Sequence, residues 1–389
     1  MKSLQIMSPS STAIITTAVF LLLLTLSSAT PIPHTFNKIY AFGDSYTDTG
    51  NTGSTAGAVT GPSAFTYVSN LPYGRTFFHR PTNRYSDGRL VIDFVAESLS
   101  LPYLPPYLNR NAAVDNSSGV NYAVAGSTAI RHGFFVKNNL TFDITPQSLK
   151  TQLGWFNETL KGQNCKSAKT TPKECRAVFK DALVWVGEIG ANDYAYSVGS
   201  TVTGKVIQLH AIRSVTGFLE TLLDKGAKYI VVQGLPTTGC LTLALYLAPE
   251  SDRDDIGCVA SVNNQSYMHN AILQTKIQNL RRKYPKAVIV YLDYWNAYRS
   301  IIKNAPKLGF HELFKVCCGS GGGPYNFDLT GACGSKSARS SCQDPSRYIN
   351  WDGVHLTEAM YKVVSELFLK GAFAHPSFEY LLRSKQNSA

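Results

Sequence analysis

The chain has 389 residues, 44% of them hydrophobic and 16% charged, with 37 Lys+Arg against 26 Asp+Glu for a formal charge of +11. An apolar share near the globular norm, with charge below the usual ~25%, excludes a disordered chain and a coiled coil. Length alone allows two domains or one large α/β domain, and the motifs favour one.

The chain opens with Lys2, an apolar stretch from Ala13 to Leu26 and a small-residue exit at Ser27, Ser28 and Ala29. This is the pattern of a secretory signal peptide over residues 1–29, leaving a mature chain of residues 30–389. The alternative, a membrane anchor, is disfavoured because the run is shorter than the ~20 residues a spanning helix needs. The expected address is the secretory pathway, with the extracellular space or apoplast first and the vacuole or endoplasmic reticulum behind it, and no stable membrane insertion.

Past this segment, short β-branched or aromatic runs alternate with longer segments of helical pattern. Lys38 to Phe42 reads as the first buried strand. It runs into Phe42-Gly43-Asp44-Ser45-Tyr46-Thr47-Asp48-Thr49-Gly50-Asn51, which places Ser45 in a turn at the strand's carboxyl end. A serine hydroxyl there is a nucleophile only if a base takes its proton; otherwise it is an ordinary helix cap. Val120 to Ala125 is the second strand, followed by Gly126, whose backbone N–H has no side chain in front of it. Ala182 to Glu188 is the third, followed by Gly190-Ala191-Asn192-Asp193-Tyr194, where the Asn192 amide offers further donors. Helical patterns over Val215 to Asp224 and Val262 to Lys283 flank strands at Tyr229 to Gln233 and Ala287 to Asp293. Near the end, Asn350-Trp351-Asp352-Gly353-Val354-His355 precedes a final helix over Thr357 to Lys370. Asp352, three residues before His355 on one turn, can accept from one imidazole nitrogen and leave the other free as a base.

This alternation predicts a single-domain, doubly wound three-layer α/β/α sandwich with a parallel sheet, in which chemistry is sought at the carboxyl ends of the strands. Ser45, Gly126, Asn192, Asp352 and His355 all fall in predicted turns on that edge.

Eight cysteines, at 165, 175, 240, 258, 317, 318, 333 and 342, suggest disulfides. Cys165 with Cys175, Cys240 with Cys258, and Cys317/Cys318 with Cys333/Cys342 would each close a local loop. A zinc site is the rival reading, but no C-x-x-C or H-E-x-x-H spacing supports it. N-x-S/T sequons at Asn116, Asn139, Asn157 and Asn264 are candidate glycosylation sites if the chain is secreted. The glycine-rich 319–323 lacks the Lys-Ser/Thr of a phosphate loop, and the basic residues are too dispersed for a nucleic-acid patch.

Four blocks in order, FGDSYTDTGN, NYAVAGSTA, GANDY and WDGVHLTEA, resemble the plant GDSL-type esterase/lipases of the SGNH hydrolase superfamily. RPTNRYSDGRLVIDFVAESLSLPYLPPYL, QGLPTTGC and CCGSGGGPYNF also look like the plant branch, and WVGEIGANDY looks most like its acetylajmalan esterase and sinapine esterase subgroup. The resemblance implies Ser45 as nucleophile, His355 as base and Asp352 as its orienting partner, with Ser45, Gly126 and Asn192 as the oxyanion hole. It implies no metal and no cofactor. One departure is Tyr46, where the family's name has Leu, a change that bears on the shape of the acyl pocket.

The implied activity is secreted serine carboxylic-ester hydrolysis of a small acylated plant metabolite, an acetylated alkaloid or a phenolic or choline ester. Alternatives are an acyltransferase using the same acyl-enzyme, a lipase on longer chains and, last, a non-catalytic wall-binding protein that keeps the fold. The partner expected is a small-molecule ester, with no nucleic acid, and the chain supplies every site group as a monomer.

Overall fold

The computed structural model describes residues 35–54, 67–109, 117–140, 144–163, 165 and 177–388. The expected signal peptide, Asn116 and Cys175 lie outside these. Each of the five apolar runs read as strands coincides at least in part with one: β1 (Lys38–Phe42), β2 (Gly119–Asn121, beginning one residue before its run), β3 (Ala182–Val186), β4 (Tyr229–Gln233) and β5 (Val288–Leu292). They are mutually parallel. Two strands that the sequence pattern did not reveal, β6 (Glu312–Val316) and β7 (Tyr348–Asn350), pair in a separate two-stranded sheet. The two-residue β8 (Ala374–His375) joins β5 antiparallel, giving the order β2-β1-β3-β4-β5-β8. The mostly parallel sheet is therefore as expected, with one antiparallel edge added.

Side chains alternate across each strand, so the sheet is buried on both faces. Tyr40, Phe42, Val184, Val186, Ile230 and Val232 pack against the helices Leu149–Gly162, Gly204–Asp224 and Ala260–Lys283. Ile39, Ala41, Leu183, Trp185, Val231 and Val290 pack against Val91–Ser98, Tyr294–Lys303, Glu358–Leu369 and Phe378–Gln386. The result is helix, sheet and helix in three layers.

Several strands end earlier than their apolar runs, because side chains take over the backbone groups. The run 120–125 is a strand only as far as Asn121: beyond it the Asn51 amide donates to the Asn121 and Ala123 carbonyls, and the Ala125 N–H donates to Asp48. The run 182–188 stops at Val186, and the Glu188 N–H donates to the Gln233 side chain instead. Helices differ at their starts. Gly204–Asp224 begins eleven residues before its expected start, capped by Thr203, and carries Val206 and Leu209 on its exposed side, which blurs the amphipathic pattern. The helix Glu358–Leu369 has Thr357 as its cap and is not the last: Phe378–Gln386 follows.

This order makes β1 and β3 the point where the chain turns from one side of the sheet to the other, and ligands of doubly wound sheets bind at such a crevice. Trp185, fully buried on β3, holds that point from below. Trp185→Ala should cost about 3–5 kcal/mol, read as a lowered urea midpoint.

Candidate active site

The turn after β1 is held open from two sides. The Gln152 side chain accepts from the Gly43 N–H at 3.0 Å and donates to the Gly43 carbonyl at 2.7 Å. The buried Asp48 carboxylate accepts from the N–H groups of Gly50, Asn51 and Thr52 at 2.6–3.1 Å, and from Ala125 N–H at 3.0 Å. Ser45 sits at the head of this turn, 6% exposed.

The segment after β3 closes on the same place. Asn192 Nδ2 lies 3.0 Å from both Asp44 Oδ2 and the Ser127 carbonyl, so its two hydrogens join the serine turn to the glycine turn. Asp193 accepts from the N–H groups of Ala129 and Ile130 at 2.8 Å each, and the Tyr196 hydroxyl donates to the Gly126 carbonyl at 2.8 Å. Gly126 has φ +77°, and an added Cβ would crowd Tyr196 and Ile144.

The third segment follows β7. Asp352 Oδ2 lies 2.8 Å from His355 Nδ1, while Oδ1 accepts from the Val354 and His355 N–H groups at 3.1 and 2.8 Å. His355 is 1% exposed. This geometry can fix the tautomer that carries its proton on Nδ1 and leave Nε2 to accept one. Gly353, at φ +100°, makes the bend, and the Phe327 ring occupies the space a Cβ would need. The Cys317 and Cys318 N–H groups donate to the Asn350 and Trp351 carbonyls. The disulfides Cys317–Cys342 and Cys318–Cys333 therefore stand directly on this turn, and Cys240–Cys258 is a third bridge.

Tyr46 links the first and third segments. Its hydroxyl donates to the Val354 carbonyl at 2.8 Å, and its ring packs among Tyr294, Tyr361 and His355. The departure from the family's Leu is thus a strut between the turn of Ser45 and the turn of His355. These contacts join the segments that carry Ser45, Gly126, Asn192, Asp352 and His355. Of the sequons described, Asn139 and Asn264 are exposed and Asn157 is half-buried.

Several residues here lie inside the quoted blocks but were assigned no role from them. Asp44, Asp48, Glu188 and Asp193 are all buried acids. Burial pushes Asp44 up to about 6 and Asp193 up to about 7, each partly offset by hydrogen bonds. Burial, then the neighbouring Asp44 charge, raises Glu188 well above the usual range, so Glu188 is the member of that pair that keeps the proton. Asp352 is the opposite case. Burial pushes its carboxyl up, yet His355 and the Tyr73 hydroxyl together hold it below its ordinary value. The available signals were the place of Asp44, Asp48 and Asp193 inside those blocks and that of Glu188, an acid closing an otherwise apolar run.

His269 lies beneath the Asn192 loop, its Nδ1 3.0 Å from the Tyr194 hydroxyl. Among the described residues no group of three or more His, Cys, Asp or Glu side chains is placed to hold a metal ion, and no helix is long and apolar enough to cross a membrane.

Comparison with known proteins gives a concordant result. The model of the family described as GDSL-like lipase/acylhydrolase matches residues 39–368. A GDSL esterase/lipase of Arabidopsis thaliana is 56% identical, over 98% of this chain and 100% of that protein. Acetylajmalan esterase 2 of Rauvolfia serpentina is 40% identical, over 86% of this chain and 90% of that protein. A solved acetyl-xylooligosaccharide esterase of Geobacillus aligns with a TM-score of 0.32 at 13% identity, over 69% of this chain and 80% of that one.

Two outcomes follow from the geometry. Gly353→Ala strains the bend and collides with Phe327, so esterase turnover should fall by at least ~10-fold, and the added substitution Phe327→Ala should restore only part of it. Burial lowers His269 to about 4, against ~6.5 in the unfolded chain. The unfolded state therefore takes up this proton first, and the histidine removes roughly 3 kcal/mol of stability as pH falls from about 6.5 to about 4. His269→Gln should flatten that part of the acid slope in denaturation measured across pH.

Proposed function

The chain belongs to the GDSL-like lipase/acylhydrolase family and is a carboxylic ester hydrolase, and from that premise we propose that it is a secreted serine esterase working through Ser45, His355 and Asp352. The observation that carries the reading is the 2.8 Å contact of Asp352 with His355 Nδ1, on a turn that Tyr46, the residue beside Ser45, ties to the serine turn.

In this mechanism Ser45 Oγ attacks the ester carbonyl while His355 Nε2 takes its proton. The oxyanion receives the Ser45 and Gly126 N–H groups and one Asn192 hydrogen, each donor of this kind being worth a few kcal/mol in the transition state. Asn192 supplies its hydrogen by releasing the Ser127 carbonyl, while its bond to Asp44 keeps the amide oriented. His355 then protonates the leaving alcohol, and a water activated by the same histidine cleaves the acyl-Ser45. The chain's own groups supply each step.

The substrate proposed is a small acylated plant metabolite, an acetylated alkaloid or a phenolic or choline ester. Support comes from the acetylajmalan esterases among its relatives, at 38–40% identity. Three disulfides among the described residues and the signal-like first 29 residues support entry to the secretory pathway, with the apoplast as destination. An acyltransferase shares the acyl-enzyme, and product analysis with an added acceptor alcohol separates it from the hydrolase.

Turnover of p-nitrophenyl acetate, butyrate and palmitate is the test. The short esters should be preferred, with palmitate dominance pointing to a lipase instead. Ser45→Ala and His355→Ala should each lower kcat by about 10⁴-fold or more, and Asp352→Asn by less. Wild-type rates in the Ser45→Ala protein would overturn the mechanism.

A further inference from the structure

The Asp352 carboxylate accepts four hydrogen bonds, three of them from its own turn. Among the described residues, one donor comes from elsewhere: the Tyr73 hydroxyl, 2.7 Å from Oδ2, across 279 residues of sequence. Oδ2 is also the oxygen nearer His355 Nδ1, at 2.8 Å against 3.0 Å for Oδ1, so the phenol and the shorter imidazole contact share one atom. Tyr73 is 2% exposed and has little freedom. Its ring lies edge-on to Tyr85 and Trp351, both 6.0 Å away, and the Gly74 N–H behind it donates to the Ser86 carbonyl. Tyr85 in turn lies against the other side of the pair, its ring 4.5 Å from that of His355.

We propose that Tyr73 is a positioning residue of this site: its hydroxyl holds Asp352 Oδ2 on His355 Nδ1 and tempers the basicity of the carboxylate that the imidazolium meets during turnover. The inference rests on the reading of Ser45, His355 and Asp352 given above. A buried carboxylate that loses an outside donor can turn about its side chain, and each degree of turn takes the imidazole off the line it must keep toward the serine. Burial and then the Asp352 charge keep the Tyr73 phenol protonated, so it remains a donor throughout the working range.

The pH signature has a sign. Without the phenol, the carboxylate is a stronger partner for the protonated imidazole, so the acid limb of kcat/KM moves to higher pH. Other groups facing the pair are Asp44 and Tyr46 on the turn after β1, Tyr85 beside Tyr73, and Tyr361 on the helix Glu358–Leu369. Asp44 titrates near the same range, at about 6, but it is common to wild type and variant. The displacement between the two therefore reports Tyr73.

The experiment is a cycle of Tyr73→Phe and Asp352→Asn, assayed on p-nitrophenyl acetate across pH after circular dichroism has shown that each protein is folded. Tyr73→Phe should lower kcat about 10- to 100-fold, the span of a hydrogen bond to a charged group. KM should stay within about twofold and the acid limb should move up. In the Asp352→Asn background the same substitution should change kcat by less than about twofold, because the two act through one contact. Placing 3-fluorotyrosine at position 73 keeps the ring and strengthens the donor, so the limb should move down; this arm decides the matter even if the phenylalanine protein does not fold. An equal loss in both backgrounds, or unmoved limbs in both position-73 proteins, overturns the proposal. Wild-type kcat in Asp352→Asn alone would instead overturn the underlying assignment of Asp352, and this inference with it.

Discussion

The Tyr46 hydroxyl and the Val354 carbonyl meet across 308 residues of sequence, and the rest of the site is arranged around that bond. The serine turn belongs to the central sheet, at the end of β1. The His355 turn belongs to a small separate sheet, at the end of β7. Nothing in either sheet's ladder fixes one against the other. Tyr46 does so with its hydroxyl, while its ring shares the core of the helix Glu358–Leu369 that starts three residues after His355. The proposed reaction passes a proton between Ser45 and His355 and tolerates little relative motion, so in it the strut matters out of proportion to the ~1 kcal/mol of a typical hydrogen bond.

The second constraint is electrostatic. Asp44, Asp48, Glu188, Asp193 and Asp352 are gathered within one small region, largely removed from water. Each would be costly alone, and Asp44, Asp48 and Asp193 are made tolerable by donors that include groups from other segments. Asp48 takes amides from its own turn and from Ala125, Asp193 takes those of Ala129 and Ile130, and Asp44 takes the Asn192 amide. The three turns are thus joined by the same contacts that satisfy the buried carboxylates. Raised carboxyls at Asp44 and Asp193 mean that the ionised folded state is strained at neutral pH, which is the usual relation between an active site and stability.

What the sequence displayed and what it concealed divide along contact range. β1 and β4 were legible to the residue, because a buried parallel strand is simply an apolar run. Ser45, Gly126 and Asn192 were legible as turn residues after strands, since the carboxyl edge of such a sheet limits where they can sit, whereas Asp352 and His355 were legible only as a turn before a helix, the strand β7 that precedes them having gone unread. Tyr46 was visible only as a departure from a family pattern, and its use became clear when Val354 was found opposite its hydroxyl. Tyr73, which lies outside every block that carries the resemblance, gave no sign, because a contact spanning 279 residues leaves no periodicity behind. The short β8 and the early start at Gly204 were hidden for a local reason: two residues make no pattern, and exposed Val206 and Leu209 spoil one.

The disulfide-bonded segment completes the argument about rigidity. Its cysteines at 317 and 318 are hydrogen-bonded to the backbone at 350 and 351, and Phe327 from the same segment fills the space over Gly353. From the other side, Glu358 receives Arg89 and its N–H donates to Asp87, both in the segment that also carries Tyr73 and Tyr85. The Asp352–His355 turn is therefore clasped between a cross-linked loop and a loop pinned by ion pairs, with Tyr46 beneath it. A short turn made on a glycine has little stiffness of its own. It acquires stiffness here because three parts of the chain, none adjacent to it in sequence, each take one of its faces.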